Sequence, residues 1–521
     1  MKRLLLYSFL SCSTLSILAQ APIIQWEKSI GGTSDEYGFF IETTSDGGYI
    51  TVGTTASADG LIPANFGIAD VLLTKLDALG NIEWIKNLGG SNLEEGYSVY
   101  QTIDGGYFIT GYTRSNDVQV VSNYGLKDVW VVKTNGLGII QWENTYGGTN
   151  DERAYYSAQT ADGGYILAGY TESNNIDVTF NNGAADVWIV KMDSAGTLQW
   201  QKSYGGTGYD YGYFISETPD GGYIITANSD SNDGDVTGYH GGTSDVWIIK
   251  VNSTGTIQWE QCYGGSSLEY GTTAYPTPDG GYIFSAYTAS ADMDITFTHG
   301  DFETWIVKLN AIGVIQWDKC FGGSISDANY TMRKTLDDKY IIAGYSYSSD
   351  GDVSGQHPGG EADFWIVKMD TAGTLEWQKC VGGDGNDQAF YILENIDSTY
   401  TAIGLSNSSN GDVSFNYGLD DWWIVKLVPP PIITSSNSLI ATAASVKVSV
   451  FPNPSNGEFY LKNLEAGERL EVYDVLGKFV LSFTSTSTSQ KINLSDKEKG
   501  IYVYRVLGND GTVLLGKISL Q

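Results

Sequence analysis

The sequence predicts an all-β protein: a seven-bladed β-propeller with four-stranded blades, followed by a small C-terminal β-sandwich. Three observations carry this reading. One block recurs seven times, each block holds four strand-like runs, and a different strand pattern takes over after a Pro- and Ser/Thr-rich stretch. Glycine is abundant (64 residues) and aromatics make up 13% of the chain, which suits turns and strands. No segment shows sustained helical periodicity with caps.

The block begins at a Trp in the context Ile/Leu-x-Trp: Trp26, Trp84, Trp142, Trp200, Trp259, Trp317 and Trp377. The spacings are 58, 58, 58, 59, 58 and 60 residues. A Gly-Gly pair and an acidic loop follow each Trp run. Next comes an alternating run such as Gly96–Thr102, a turn such as Asp104-Gly105-Gly106, and a second run, Tyr107–Thr113. A long polar loop then leads to a third run, Trp130–Lys133, before the next Ile-Gln-Trp. Asp-Gly-Gly between alternating runs fits a tight hairpin, because Gly tolerates the positive φ such turns need. Four strands in a period near 58 residues are the mark of a propeller blade.

The ends of the array predict closure. The last block stops at Leu427 without its fourth strand, while the first begins with an extra one, residues 22–28. The N-terminal strand should therefore complete blade seven and remove an exposed sheet edge.

Residues 1–20 read as a signal peptide: Lys2 and Arg3, an apolar stretch from Leu4 to Leu18, then Ala19-Gln20-Ala21 as the cleavage pattern. The propeller is assigned to 21–428, a linker to 429–445 and the C-terminal domain to 446–521. No later stretch is long and apolar enough to span a membrane. The net charge of −32 opposes nucleic acid as a partner and suits divalent cations or a basic partner. The chain is expected to act as a monomer. Cys262, Cys320 and Cys380 each stand three residues after a repeat Trp, where other blocks carry Ser29, Asn87, Thr145 and Ser203. They read as inert buried thiols.

From Val446 on, short alternating strands are separated by turns, which predicts a β-sandwich. Here the residues resemble a known family. Phe451-Pro452-Asn453-Pro454 with Gly457, residues Asp474 to Gly477, the run Gly500-Ile501-Tyr502, and Lys517 near the end are together similar to the type A C-terminal sorting domain of type IX secretion cargo in Bacteroidota. The resemblance implies a partner, the type IX machinery, and delivery to the outer-membrane surface or the extracellular space.

Three acidic positions recur in all seven blocks and hold 21 of the 61 acidic residues. The first is Glu36, Glu94, Glu152, Asp210, Glu269, Asp327 and Asp387, expected to ring the channel mouth. The second is Asp70, Asp128, Asp186, Asp245, Glu303, Asp363 and Asp421, and the third is Asp59, Asp117, Asp177, Asp235, Asp294, Asp352 and Asp412. One reading is a rim collecting Ca²⁺ or a cationic ligand, with Asp235, Asp352 and Asp412 as Ca²⁺ candidates. The other is structural: loop carboxylates accept backbone N–H groups. A recurring Lys (Lys75, Lys133, Lys191, Lys250, Lys308, Lys368, Lys426) is expected to pair with these acids. His240, His299 and His357 fall on neighbouring blades that diverge around a ring, which argues against a shared Zn²⁺ site.

No nucleophile motif, P-loop or His-Glu-x-x-His stands out. The residues favour a secreted or cell-surface, non-catalytic binding protein whose loop face recognises an extracellular glycan or protein. The alternative is a carbohydrate-active hydrolase or lyase using two channel-mouth carboxylates. The first predicts Tyr- and Trp-lined grooves, the second a blade that breaks the repeat beside a deep pocket.

Overall fold

The computed structural model describes residues 21–359, 361–429 and, with short gaps, 449–520. The signal peptide, most of the linker, Pro452, Asn453, Pro454 and the Lys517 side chain lie outside the described residues. The chain divides into two compact units, 1–432 and 433–521.

Unit one is a ring of seven four-stranded antiparallel sheets. Blade one comprises, from the axis outward, Glu36–Thr43, Tyr49–Thr55, Asp70–Leu76 and Ile82–Leu88. Five further blades repeat this order. Blade seven contains Asp387–Glu394, Tyr400–Ser406 and Asp421–Val428, and its outer strand is the N-terminal Ile23–Ile30. That strand pairs antiparallel from Ile23↔Val428 to Ile30↔Trp422. The ring is thus closed by the strand the sequence left over at its beginning.

Each inner hairpin turns on a short loop. In blade one Gly47 donates to the Thr44 carbonyl (2.8 Å) and Thr44 to the Gly48 carbonyl (2.9 Å), with Gly47 at φ +83°. Glycine takes this left-handed conformation without a β-carbon clash. Blades six and seven carry Asp338 (φ +61°) and Ser398 (φ +60°) at the same point.

The two middle strands are buried along their whole length in blades one to four, because neighbouring blades cover both faces. The third strand of blades two to seven carries a buried Trp at one repeat position: Trp130, Trp188, Trp247, Trp305, Trp365 and Trp423. A buried indole N–H needs an acceptor. The outer strand provides it: Glu143, Gln201, Glu260, Asp318, Gln378 and Glu27 accept at 2.7 to 3.3 Å.

Unit two holds a three-stranded sheet (Ser449–Phe451, Glu458–Lys462, Ser489–Asn493) and a four-stranded sheet (Phe479–Thr484, Arg469–Asp474, Gly500–Leu507, Val513–Leu520). Phe459, Leu461 and Ile492 of the first share one core with Leu470, Val472, Tyr504 and Ile518 of the second, as in a β-sandwich. Tyr502 is buried in that core, and Gly457 lies at φ +126° against Ser495.

Candidate ligand-binding channel and blade-junction carboxylates

The inner strand of every blade carries a β-bulge at the same place. In blade one Gly38 pairs with Gly53 and Phe40 with Val52, so Phe39 is the extra residue. The same break follows Gly96, Ala154, Gly212, Gly271, Asn329 and Ala389. A bulge re-aims side chains. Here the extra residue of every blade, and the next one in every blade but the second, line an axial cavity of about 350 Å³.

The extra residues form an aromatic collar. Ring centroids run Tyr213–Tyr155 4.9 Å, Tyr155–Tyr97 5.1 Å, Tyr97–Phe39 5.0 Å, Phe39–Phe390 5.4 Å and Phe390–Tyr330 5.1 Å. These are the separations of mutually packed rings. Neighbouring side chains hold the tyrosine hydroxyls: Tyr97 donates to Glu95, and Tyr330 to Gln388 (3.1 Å). Burial raises the Tyr97, Tyr155 and Tyr213 hydroxyls, keeping them neutral. Blade five breaks the collar, with Thr272 and Thr273 where the other blades present mostly rings. Sequence reasoning missed the collar. The aromatics after Gly38, Gly96 and Gly212 were visible, but two adjacent residues facing one cavity contradicts simple alternation.

The first acidic set is fully buried at blade junctions. Glu36 accepts from the Gly32 N–H (2.8 Å), the Thr55 hydroxyl (2.7 Å) and the Ser57 N–H (3.2 Å). Glu94, Glu152 and Glu269 repeat the bonds to the Gly-Gly N–H and the Thr hydroxyl. Asp210 and Asp327 take a Ser hydroxyl instead, from Ser229 and Ser346, and Asp387 faces Ser406 in the same register. These carboxylates clamp the Gly-Gly loop onto the hairpin behind it.

The second set closes the other side of each junction. Asp70 Oδ2 accepts from the Phe66 N–H at 2.7 Å, and its Oδ1 has no partner. Asp128, Asp186, Asp245, Asp363 and Asp421 share the unpartnered Oδ1. Asp70 Oδ1 and Glu94 Oε2 lie 2.4 and 2.7 Å from the point a β-carbon on Gly89 would occupy, so no larger residue fits there. Burial, followed by the facing Glu94, pushes Asp70 up to about 7. Asp128, Asp186 and Asp421 rise equally far, chiefly by burial.

The structure splits the third set. Asp59 and Asp117 accept from the Thr33 and Ser91 N–H groups at 2.8 Å, a place filled by Asn175, Asp233, Asp292, Asp350 and Asn410 in the other blades. Asp177, Asp235, Asp294, Asp352 and Asp412 stand two residues later and accept from the first Gly of the pair at 3.2 to 3.4 Å. Gln119 does this in blade two. His240 Nδ1 lies 2.7 Å from Asp245 and His357 Nδ1 3.0 Å from Asp363, so the histidines serve separate junctions. Among the described residues no group of three or more His, Cys, Asp or Glu is placed to hold a metal ion.

The recurring lysines pair with a fourth set of acids, the hairpin-turn aspartates. Lys191 Nζ reaches Asp162 Oδ2 (2.9 Å), the Gln199 side chain (2.9 Å) and the Met192 carbonyl (3.2 Å). Asp46, Asp104, Asp220, Asp279, Asp337 and Asp397 serve the other blades. Cys262, Cys320 and Cys380 are free, and burial pushes each thiol up.

No curated protein matches the sequence. Among solved structures the chain is similar to BBS1N in complex with ARL6DN (10% identity, 80% of this chain and 99% of that one, TM-score 0.43). It is similar to the Pan2 WD40 domain of Neurospora crassa (9%, 76% and 90%, TM-score 0.41). It also matches PorZ of Porphyromonas gingivalis, an essential bacterial surface component of the type IX secretion system (11%, 97% and 86%, TM-score 0.24). Residues 449–520 match the family model of the secretion system C-terminal sorting domain. That match falls on the sandwich, and the chain is a type IX secretion cargo with a propeller fold, sent to the cell surface or the extracellular space.

Proposed function

We propose that this cargo is a non-catalytic binding protein that recognises an extracellular glycan through the axial cavity of its propeller. The aromatic collar carries the reading. Packed rings around an open cavity offer flat apolar faces, the surface on which the C–H faces of sugars stack. The hydrolase or lyase alternative needs two carboxylates at the channel mouth, whereas the first acidic set is occupied by its own loops. Glycan-array binding by the mature full-length chain, with Phe39→Ala and Tyr155→Ala beside it, tests the proposal. Retention of a glycan by the wild type, weakened at least tenfold in both variants, is the expected result. Turnover of any polysaccharide, or binding only to a protein, overturns it.

A further inference from the structure

The cavity lining carries two chemistries. Rings from all seven blades reach it, Tyr270 and Tyr287 of blade five and Tyr330 of blade six included, and blades five and six add the hydroxyls of Thr272, Thr273 and Thr331. The first two belong to a closed network: Thr272 and Thr273 each lie 2.7 Å from Ser285 Oγ, and Asn329 Nδ2 donates to Thr272 (2.9 Å). Thr331 is different. It is only 1% exposed and lines the cavity, yet its hydroxyl has no partner. A buried hydroxyl left unpaired is costly, so its native partner is expected to come from whatever occupies the cavity. Among the described residues no charged side chain lines the cavity.

Building on the glycan reading, we infer that the cavity takes one neutral sugar ring, its C–H faces against the aromatic rings and its hydroxyl edge toward Thr331. A pyranose matches this mixture of rings and hydroxyls, being apolar on its faces and polar along its edge. A uronate or sulfated sugar would bury a charge with no counter-charge in the lining. The net charge of −32 also repels polyanions at long range. Thr331 is then a specificity-determining residue, and blade five opens the collar so that the ring can turn its edge to it.

The test is calorimetric titration of the mature full-length chain with neutral oligosaccharides (cello-, xylo- and manno-series) and anionic ones (alginate, polygalacturonate). Wild type, Thr331→Val, Thr273→Val and Phe39→Ala are compared after their melting temperatures establish folding. Binding confined to a neutral series, weakened about tenfold by Thr331→Val, is expected, since one hydrogen bond is lost and the shape is kept. Anionic sugars binding as tightly as neutral ones, or neutral binding unchanged in Thr331→Val and lost in Phe39→Ala, overturns the inference and leaves the glycan reading standing. No binding to either series by wild type, with an apolar probe such as a phenyl or alkyl alcohol bound more tightly by Thr331→Val, overturns both.

Discussion

Replacing Asp128 by Asn should stabilise the propeller at pH 8 and leave it unchanged near pH 4. Asp128 is fully buried, its Oδ2 accepts from the Tyr124 N–H, and its Oδ1 faces Glu152 without a partner. Burial first, then the charges of Glu152 and Asp177, push it from 3.8 up to about 7. A group whose pKa is raised by folding stabilises fully below its unfolded value and loses that contribution as pH climbs through the folded value. The loss here falls between pH 3.8 and about 7. At ~1.4 kcal/mol per pKa unit the full span is roughly 4 kcal/mol. Asn keeps the acceptor for Tyr124 and cannot ionise, so the variant should gain about 1–4 kcal/mol at pH 8. All 14 Trp lie in the propeller, so urea melts followed by Trp fluorescence report on that unit alone, even in the full chain. Melts at pH 4.5, 6 and 8, with EDTA throughout, supply the comparison. Wild-type stability that rises from pH 5 to 8, or no gain in Asp128→Asn at pH 8, refutes the reasoning. A wild-type gain from added Ca²⁺ at pH 8 that the substitution abolishes would give the carboxylate pair to a cation instead of a proton.

Other expectations concern closure, turns and export. Deleting residues 21–30 removes the outer strand of blade seven and should broaden the unfolding transition, with a synthetic peptide of residues 22–30 restoring it; an unchanged midpoint would count against closure. Ser398→Gly relieves a left-handed residue in the blade-seven turn and should raise stability by about 0.5–1 kcal/mol, seen as a higher urea midpoint. Removing residues 446–521 should hold the propeller in the periplasm, as fractionation and surface labelling would reveal; normal surface delivery contradicts the role given to the sorting domain.

The blades were readable because each announces itself twice, by its Trp and by its hairpin turn, and because blades stacked on both faces demand unbroken apolar middle strands. Closure was readable from one missing and one surplus strand. Partners were harder. The hairpin aspartates look like turn formers, which they are, since Asp104 accepts from Thr102 (2.6 Å) and Gly106 (3.0 Å). Nothing local shows that the same carboxylate also meets Lys133, 29 residues on. The third acidic set mixes two structural positions because Asp233 and Asp235 lie only two residues apart, and blades one and two have an acid at the first position alone. The collar depends on a bulge, an added residue that no period-two pattern contains.

The repeats also tell scaffold from site. At scaffold positions a change in one residue is answered by a change in its partner. Glu36, Glu94, Glu152 and Glu269 face Thr, while Asp210, Asp327 and Asp387 face Ser. Where blade one has Leu72 in place of the buried Trp, the outer strand has Ile85 in place of its acceptor. Thr272 breaks the collar but is answered by Asn329, which donates to it where the other blades carry Gly or Ala. Thr331 stands where most blades carry a ring and has no such answer, which is how a position chosen for a ligand behaves. The rule can be tested at blade two. Glu94→Asp alone draws the carboxylate back by one methylene from Thr113, which it now meets at 2.7 Å. Adding Thr113→Ser removes the methyl that keeps the shorter acid away and recreates the pairing of Asp210 with Ser229. Ser115 already stands where Ser231 donates to Asp210 in blade four (2.8 Å). The single substitution should cost about 1–2 kcal/mol, and the double should recover at least half of it. Purely additive losses in urea melts would show that the matched pairs are coincidence and that answered changes do not set clamp apart from collar.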